Sequence, residues 1–234
     1  MAFVNDLVAE VEGIFRGSWN SRAGQVVPDV NAVGLGKSAA TIDASVLYAD
    51  LADSTALVDN HYAAFAAEIY KVYLVCAARI IKINAGVITA YDGDRIMAVF
   101  VGAGKEEKAV VCGMKINWAI ANIVNPSIQR SYSTSIYRVA HHVGVDTGAL
   151  FVARVGVRND NDLVWVGPAA NYAAKMSGIA EDNTIFISGN TYDALPLRAR
   201  VGASPQMPMW KSRTWTLYPN RRLFSSNWVW NPDQ

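Results

Sequence analysis

Two aspartates stand out because each lies beside a run of residues that otherwise favours a β-strand. Asp50 lies in the run 45–51, and Asp94 follows the turn-forming dipeptide Asp92-Gly93. Aspartate is disfavoured in strands, and two carboxylates on neighbouring strands repel each other unless a cation lies between them. Magnesium or manganese is the natural occupant, and such ions usually serve phosphate chemistry. The alternative is that both residues are solvated acids at strand ends.

Two further patterns could contribute to a phosphate site. Asp53, Ser54 and Thr55 are good N-cap types, and backbone N–H groups at a helix start bind phosphate readily. Asn171 and Lys175 lie four residues apart on a predicted helix, so an amide and a cation project from one face. Each pattern is weak alone, because many helices begin with Ser or Thr and exposed helix faces carry such residues.

The hydrophobic pattern predicts the elements that would position these residues. Strands are predicted near 45–51, 87–91, 96–101, 138–145, 149–157, 163–166 and 184–188, and helices near 53–80, 105–124 and 168–179. A turn is expected at 146–148, and the second helix is expected to end before Pro126. Strands and helices alternate with hairpins between them. This order favours an α+β fold with an antiparallel-rich sheet, helices on one face and the other face open.

Three segments are predicted along the chain: an N-terminal helix and linker at 1–40, a core domain at 41–198, and a tryptophan-rich extension at 199–234. The extension contains Trp210, Trp215, Trp228 and Trp230. Aromatic residues in such a tail often pack against a partner surface, so the extension is a candidate for dimerisation.

Composition excludes several classes of protein. The 234 residues are 52% hydrophobic, and 21 Lys+Arg against 20 Asp+Glu give a formal net charge of +1. One sizeable core is therefore expected, and a global basic field for nucleic acid is excluded. No apolar run is long enough to span a membrane. Cys76 and Cys112 do not have CxxC spacing, and the sequence does not begin with the basic and apolar pattern of a signal peptide. We expect a cytoplasmic protein that binds neither nucleic acid nor a membrane.

Four stretches, in order along the chain, resemble the catalytic domain of the class III nucleotidyl cyclases, the adenylate and guanylate cyclase family. Two are similar to the family's metal motifs, one resembles its Gly-Ile-His-Thr-Gly hairpin, and one matches the stretch that holds its transition-state residues. They are Tyr48 to Thr55, Gly93 to Phe100, Val143 to Gly148 and Asp162 to Lys175. The resemblance covers residues 42–195, and it implies a ferredoxin-like core and a homodimer with active sites at the interface.

The resemblance implies two divalent metal ions, Mn²⁺ or Mg²⁺, and a bound triphosphate. Asp50, Asp94 and the Leu51 carbonyl would bind the metal ions. The triphosphate loop would comprise Ala52, Asp53, Ser54 and Thr55.

Three more roles follow from the same resemblance. Asn171 would orient the ribose, and Arg158 resembles a basic residue directed at the terminal phosphates. Lys175 stands where the family usually has an arginine that stabilises charge on the α-phosphate, and lysine keeps the charge but loses the bidentate fork. In the dimer, the two aspartates of one subunit would face Asn171 and Lys175 of the other.

The base-reading positions depart from those of the purine cyclases. Adenylate cyclases usually have a lysine and an Asp or Thr where this chain has Ala90 and Val164, and the Glu and Cys of guanylate cyclases are absent too. Neither side chain can make the expected hydrogen bond. The pyrimidine cyclases of bacterial Pycsar antiphage defence resemble the chain more closely, because they share altered base-reading positions and a similar Tyr-Ala-Asp-Leu start.

Tyr48 is the first candidate for reading a smaller base, because strand alternation places it on the same face as Asp50. It would fill the space left by a purine or donate a hydrogen bond. A ring packed at the dimer interface is the alternative. Tyr91 and Arg95 are weaker candidates, because alternation does not clearly place either one toward the base.

The resemblance therefore predicts conversion of UTP to 3′,5′-cyclic UMP and pyrophosphate as a second messenger in antiphage defence, sensed by a separate effector protein. Cytidylate cyclase activity is the second choice, because one side chain can decide between uracil and cytosine. An adenylate cyclase with unusual base contacts and a non-catalytic dimerisation module are the remaining alternatives.

Overall fold

The computed structural model describes residues 2–202 and 206–233, and a single mixed sheet organises this part of the chain. Its strands are β1 (Asn20–Ala23), β2 (Ser38–Leu51), β3 (Val87–Asp92), β4 (Arg95–Val101), β5 (His141–Val157), β6 (Asp160–Val166), β7 (Thr184–Ser188), β8 (Lys211–Arg213) and β9 (Leu223–Ser226). The α-helices are α1 (Ala2–Phe15), α2 (Ser54–Asn60), α3 (Ala63–Ile83), α4 (Lys105–Ala119), α5 (Asn125–Ser131), α6 (Pro168–Ser177) and α7 (Gly189–Ala194).

The strands follow the order β3-β4-β2-β5-β7-β9-β8, and β1 and β6 add to β2 and β5. The pairs β1–β2 and β5–β7 are parallel, and the other pairs are antiparallel. The longest pairing joins β2 to β5, from Ala39 opposite Ala153 to Leu51 opposite His141. The predicted α+β class with an antiparallel-rich sheet is confirmed.

The side chains of β2 alternate between two apolar cores. Leu47, Ala49 and Leu51 pack on one face of the sheet with α3 and α4. Ala44 and Val46 pack on the opposite face with the alanines of α6. Helix α6 therefore covers part of the face that the sequence pattern left open.

The sheet differs from the prediction at 146–148, where a turn was expected. β5 runs without interruption through this segment, and Ser45 lies opposite Thr147. Asp146 is buried, but Ser188 Oγ and the Thr147 backbone N–H donate hydrogen bonds to its carboxylate. Because these contacts come from distant β7 and from local backbone, a turn-like tripeptide is accommodated inside a strand.

The helices also differ in two places. The helix expected from residue 53 to 80 is divided at His61 into α2 and α3. The helix expected to end before Pro126 continues through a π-helical turn, Ile120–Val124, into α5. Pro126 lies in the first turn of α5, where its missing N–H is tolerated.

The tryptophans of the extension belong to the chain's own core, so the expectation that they pack against a partner is wrong for at least two of them. Trp210 is 6% exposed and Trp215 is 4% exposed. Trp210 Nε1 donates a hydrogen bond to the Ala199 carbonyl at 2.8 Å. Trp228 and Trp230 are partly buried against the core that contains α3 and α4. Strands β8 and β9 extend the sheet beyond β7.

Within residues 2–202 and 206–233, no helix combines the length and the apolar character that a membrane crossing needs. Helix α1 has exposed apolar side chains along its length, and none of its described residues is buried.

Candidate active site

Asp50 and Asp94 lie together at one end of the β2–β4 pair. Asp50 lies directly opposite Arg95, the residue that follows Asp94. Burial first, and then the negative charge of Asp94, raise the pKa of Asp50 to about 6, whereas Arg95 lowers it. The Leu51 backbone N–H also donates a hydrogen bond to the Asp50 carboxylate and lowers its pKa. The negative charges of Asp50 and Asp94 therefore repel each other.

The pair fits a divalent cation. Asp94 Oδ2 is buried and has no hydrogen-bond partner within the described residues. A buried carboxylate oxygen without a partner is costly, and a cation shared with Asp50 would satisfy it and remove the repulsion. The described residues hold no cluster of three or more His, Cys, Asp or Glu. Remaining ligands would therefore be backbone carbonyls such as that of Leu51, water or substrate phosphates, as is usual for magnesium.

Three buried polar side chains, those of Tyr73, His141 and Asn117, lie in a row beside the aspartates. Tyr73 is fully buried, and burial first, then the charges of Asp50 and Asp94, raise the pKa of its phenol. Its hydroxyl lies 3.4 Å from His141 Nδ1, and His141 Nε2 lies 2.6 Å from Asn117 Oδ1. Burial lowers the pKa of His141 to about 3, so the imidazole is neutral. Sequence reasoning missed this contact because Tyr73 has only the spacing of an apolar helix face, and His141 lies 68 residues away along the chain.

Tyr48 and Arg95 share the sheet face of Asp50. Tyr48 lies two residues before Asp50 on β2, and Arg95 lies opposite Asp50 on β4. The Arg95 guanidinium lies 5.3 Å from the centre of the Tyr48 ring, and it donates a 2.8 Å hydrogen bond to Asp92. The strand register therefore places Arg95 beside Tyr48, which alternation alone did not establish. Burial raises the pKa of Tyr48, so its phenol is a neutral donor.

The predicted triphosphate loop is only partly available. The Ala52 N–H donates a 2.9 Å hydrogen bond to the Ala140 carbonyl, so Ala52 cannot offer this donor to a phosphate. Asp53 has a left-handed backbone conformation, with φ of +53°, and its side chain makes no capping hydrogen bond to α2. Ser54 and Thr55 form the first turn of α2, where the first backbone N–H groups have no partner within the helix.

Asn171 and Lys175 are exposed on one face of α6, as their spacing predicted. Within the described part of the chain, no hydrogen bond or ion pair joins either residue to Asp50 or Asp94. Lys175 Nζ instead donates a hydrogen bond to the hydroxyl of Tyr218 in the extension. Tyr218 lies 43 residues beyond Lys175, and no local pattern could have indicated this contact.

Arg158 and Val164 lie away from the two aspartates. Arg158 is exposed in the turn between β5 and β6. His142, the partner of Asp50, lies at the other end of β5, so about 50 Å of extended strand separates the two positions. Val164 is 36% exposed on β6. The fold of a single chain therefore does not bring these two residues to the Asp50–Asp94 pair.

Comparisons with known proteins agree with this architecture. Residues 37–209 match the family described as the adenylate and guanylate cyclase catalytic domain. A protein of Xanthomonas perforans named uridylate cyclase is 44% identical over 234 residues, which is 100% of both chains. A Burkholderia cepacia protein with the same name is 40% identical over 232 residues, 98% of this chain and 99% of that protein. The crystal structure of the guanylyl cyclase Cya2 has a TM-score of 0.66 at 20% identity, over 82% of this chain and 95% of that one, which shows the fold.

The matched segment begins just before β2 and ends just before β8. It contains the aspartate pair and both exposed polar residues of α6, and it leaves out α1 and strands β8 and β9. Since the match spans most of the chain and two full-length relatives carry cyclase names, the chain belongs to the adenylate and guanylate cyclase family, the class III nucleotidyl cyclases.

Proposed function

We propose that the chain is a uridylate cyclase that converts UTP to 3′,5′-cyclic UMP and pyrophosphate. The observation that carries this proposal is the aspartate pair: Asp94 Oδ2 is buried with no hydrogen-bond partner among the described residues, and burial together with the charge of Asp94 raises the pKa of Asp50. In the reaction the ribose 3′-oxygen forms a bond to the α-phosphorus, and the bond from that phosphorus to the bridging oxygen of the leaving pyrophosphate breaks.

Asp50, Asp94 and the Leu51 carbonyl would hold two divalent ions, manganese or magnesium. When bound, such ions lower the pKa of the 3′-hydroxyl and stabilise negative charge on the transferring phosphate. Asp53, Ser54 and Thr55 would bind the triphosphate through backbone N–H groups and hydroxyls at the start of α2.

A homodimer would complete the active site. Asn171 would orient the ribose, Lys175 would place its charge at the α-phosphate, and Arg158 would reach the terminal phosphates. Among the described residues of one protomer, no hydrogen bond or ion pair joins Asn171 or Lys175 to the aspartates, and Arg158 lies beyond the far end of β5. These placements support a site in which one subunit contributes the aspartates and the other contributes α6.

The base assignment follows from apolar side chains and from the relatives. Ala90 and Val164 offer no hydrogen bond to a purine. Tyr48, held against Arg95 on the face of Asp50, would contact a pyrimidine through its neutral hydroxyl. The two full-length relatives named uridylate cyclase favour uracil over cytosine.

The product would serve as a second messenger in the cytoplasm, in antiphage defence, and a separate effector protein would sense it. Cys76 and Cys112 are free thiols, in keeping with a reducing compartment. Infection would raise cyclic UMP, and the effector would then disable the cell.

The direct test incubates the purified chain separately with UTP, CTP, ATP and GTP in the presence of manganese. Products are separated by chromatography and identified by mass. Cyclic UMP as the main product is expected, and cyclic CMP or cyclic AMP would correct the base. The control is the chain with both Asp50→Asn and Asp94→Asn, which retains shape but removes two negative charges.

The double variant is expected to make no cyclic nucleotide while keeping the elution volume of the unchanged protein. Equal activity in both proteins would refute the metal-binding role of the two aspartates. If no triphosphate yields a cyclic product, the cyclase proposal fails for the isolated chain.

A further inference from the structure

The C-terminal extension forms an aromatic cluster against α6, the helix that carries Asn171 and Lys175. Trp215 and Leu223 are buried with Met176 of α6 and Phe186 of β7. Tyr172 of α6 contacts two rings of the extension edge-on, at 5.6 Å for Trp215 and 5.1 Å for Tyr218. The extension therefore packs on the outer surface of a helix that the proposed reaction uses.

Tyr218 is fixed within this cluster. Its ring lies 4.8 Å from Trp215 at 67° and 5.1 Å from Tyr172 at 85°. Its backbone N–H donates a 3.0 Å hydrogen bond to the Trp215 carbonyl, and its carbonyl accepts one from Arg221 at 2.9 Å. The Arg221 guanidinium in turn lies 3.8 Å from the Tyr172 ring. Trp215 and Tyr172 therefore fix the ring of Tyr218 independently of its contact with Lys175.

Lys175 meets this fixed phenol in two ways. Its Nζ donates a hydrogen bond to the Tyr218 hydroxyl, and the same nitrogen lies 4.8 Å from the Tyr218 ring centre. A lysine is a point charge on a flexible stem, and ordering it costs side-chain entropy. An arginine at this position would offer a planar fork, which lysine lacks. The fixed Tyr218 hydroxyl offsets part of this disadvantage of lysine. It accepts one N–H of the Lys175 ammonium, and the other two N–H groups remain for a phosphate.

We propose that Tyr218 is a positioning residue that holds the Lys175 ammonium for charge stabilisation at the α-phosphate. This inference rests on the proposed function, in which Lys175 contacts substrate. It gives the extension a role that neither the core motifs nor the matched family segment, which ends at residue 209, contains. The ring of Tyr218 packs in the aromatic cluster, whereas its hydroxyl positions the Lys175 ammonium.

Tyr218→Phe separates the two parts, since it removes the hydroxyl and keeps the ring. We expect kcat for UTP to fall about tenfold with KM changed less than twofold, because the lost contact acts in the transition state. The matched control is Tyr192→Phe, since Tyr192 also stacks on the extension, 4.0 Å from Phe224, and its hydroxyl has no partner among the described residues. Its kcat should stay within twofold of the unchanged protein.

A double-mutant cycle tests whether Tyr218 acts through Lys175. In a Lys175→Met background, Tyr218→Phe should change kcat by less than twofold, because the group it positions is gone. A tenfold fall in that background as well would overturn the proposal and assign Tyr218 a structural role. No fall in kcat for Tyr218→Phe alone would also overturn it.

A second readout does not need catalysis. Lysine acetylation rates measured by isotope-coded mass spectrometry should rise several-fold at Lys175 in Tyr218→Phe, while exposed Lys211 stays unchanged. If the unchanged protein makes no cyclic nucleotide, the proposed function fails, and the labelling alone then decides whether Tyr218 holds Lys175. Equal Lys175 labelling in both proteins would overturn the inference.

Discussion

Gly144 lies so close beneath α6 that a Cβ atom built on it would be 2.1 Å from the carbonyl oxygen of Ala173. The same atom would be 2.6 Å from the Ser177 backbone nitrogen. Backbone atoms cannot move aside as a flexible side chain can, so a glycine at this position is what allows α6 to pack on β5. The position of Asn171 and Lys175 therefore depends on the absence of a side chain at Gly144.

Gly144→Ala is expected to lower the free energy of unfolding by about 1–3 kcal/mol, because overpacking displaces α6. Urea denaturation followed by circular dichroism measures the change. The control is Gly148→Ala on the same strand, whose Cβ would contact only Ala169 at 3.9 Å. Equal stability of the two variants would show that α6 does not pack on β5 in this way.

The sequence predicted the proximity of Asp50 and Asp94, because both signals for it were local. Asp50 lies in a β-rich run on β2. The hairpin expected at Asp92-Gly93 has Gly93 and Asp94 as its turn residues, so Asp94 lies in the turn between β3 and β4, next to the end of β4 that pairs with Asp50. Strand register then did what alternation could not, since it assigned Arg95 to the position opposite Asp50.

The errors in prediction arose where distant residues satisfy a local conflict. The segment 146–148 has turn-forming residues, but Ser188, 42 residues away, donates to Asp146 and allows a strand. The tail tryptophans have no helical or strand periodicity, and only the folded chain shows that Trp210 and Trp215 are buried in it. Contacts of this kind have no signal in residue spacing.

Removing the Asp94 carboxylate should remove metal binding. Asp94→Asn is expected to weaken Mn²⁺ binding at least tenfold, because a neutral amide has no negative charge to attract the ion and cannot bind it together with Asp50 as a carboxylate would. Electron paramagnetic resonance of free Mn²⁺ measures the affinity. Asp92→Asn is the matched control, since its side chain is 76% exposed and is paired with Arg95. Unchanged Mn²⁺ affinity in Asp94→Asn would exclude Asp94 as a ligand.

Two variants of strongly reduced activity should complement each other if the site is shared between subunits. Asp50→Asn lacks one half of the proposed site, and Lys175→Met lacks the other. Mixed and re-equilibrated at equal concentrations, about half of the dimers are heterodimers, and each has one intact site out of two. Cyclic UMP synthesis should therefore return to about a quarter of the unchanged protein's rate. Activity no greater than the sum of the two separate variants would place all the residues in one protomer.

Stability should fall in acid because of His141. Its folded-state pKa is about 3, below the ordinary 6.5, since burial disfavours the imidazolium. The unfolded chain therefore binds a proton at pH values where the folded chain does not. The resulting loss of stability begins as pH falls through 6.5 and continues to about 3, at up to about 1.4 kcal/mol for each pH unit.

The measurement is the free energy of urea unfolding at a series of pH values between 7 and 4. His141→Gln removes the titrating group while its amide can still hydrogen-bond Asn117. The variant is expected to be less stable at pH 7 but to show a shallower slope below pH 6. Identical slopes would mean that His141 does not enter the acid sensitivity.

Tyr48→Phe tests whether the Tyr48 hydroxyl contacts the base or whether the ring only packs against Arg95. The ring and its 5.3 Å contact with the guanidinium are kept, so folding should be unaffected. Loss of one hydrogen bond to uracil is expected to lower kcat/KM for UTP about tenfold, a change near 1.4 kcal/mol. Tyr91→Phe is the control and should keep full activity, because Tyr91 is 57% exposed on the edge strand β3, which β4 separates from β2. An unchanged kcat/KM for Tyr48→Phe would assign this ring to packing, and the uracil contact would then have to come from another side chain.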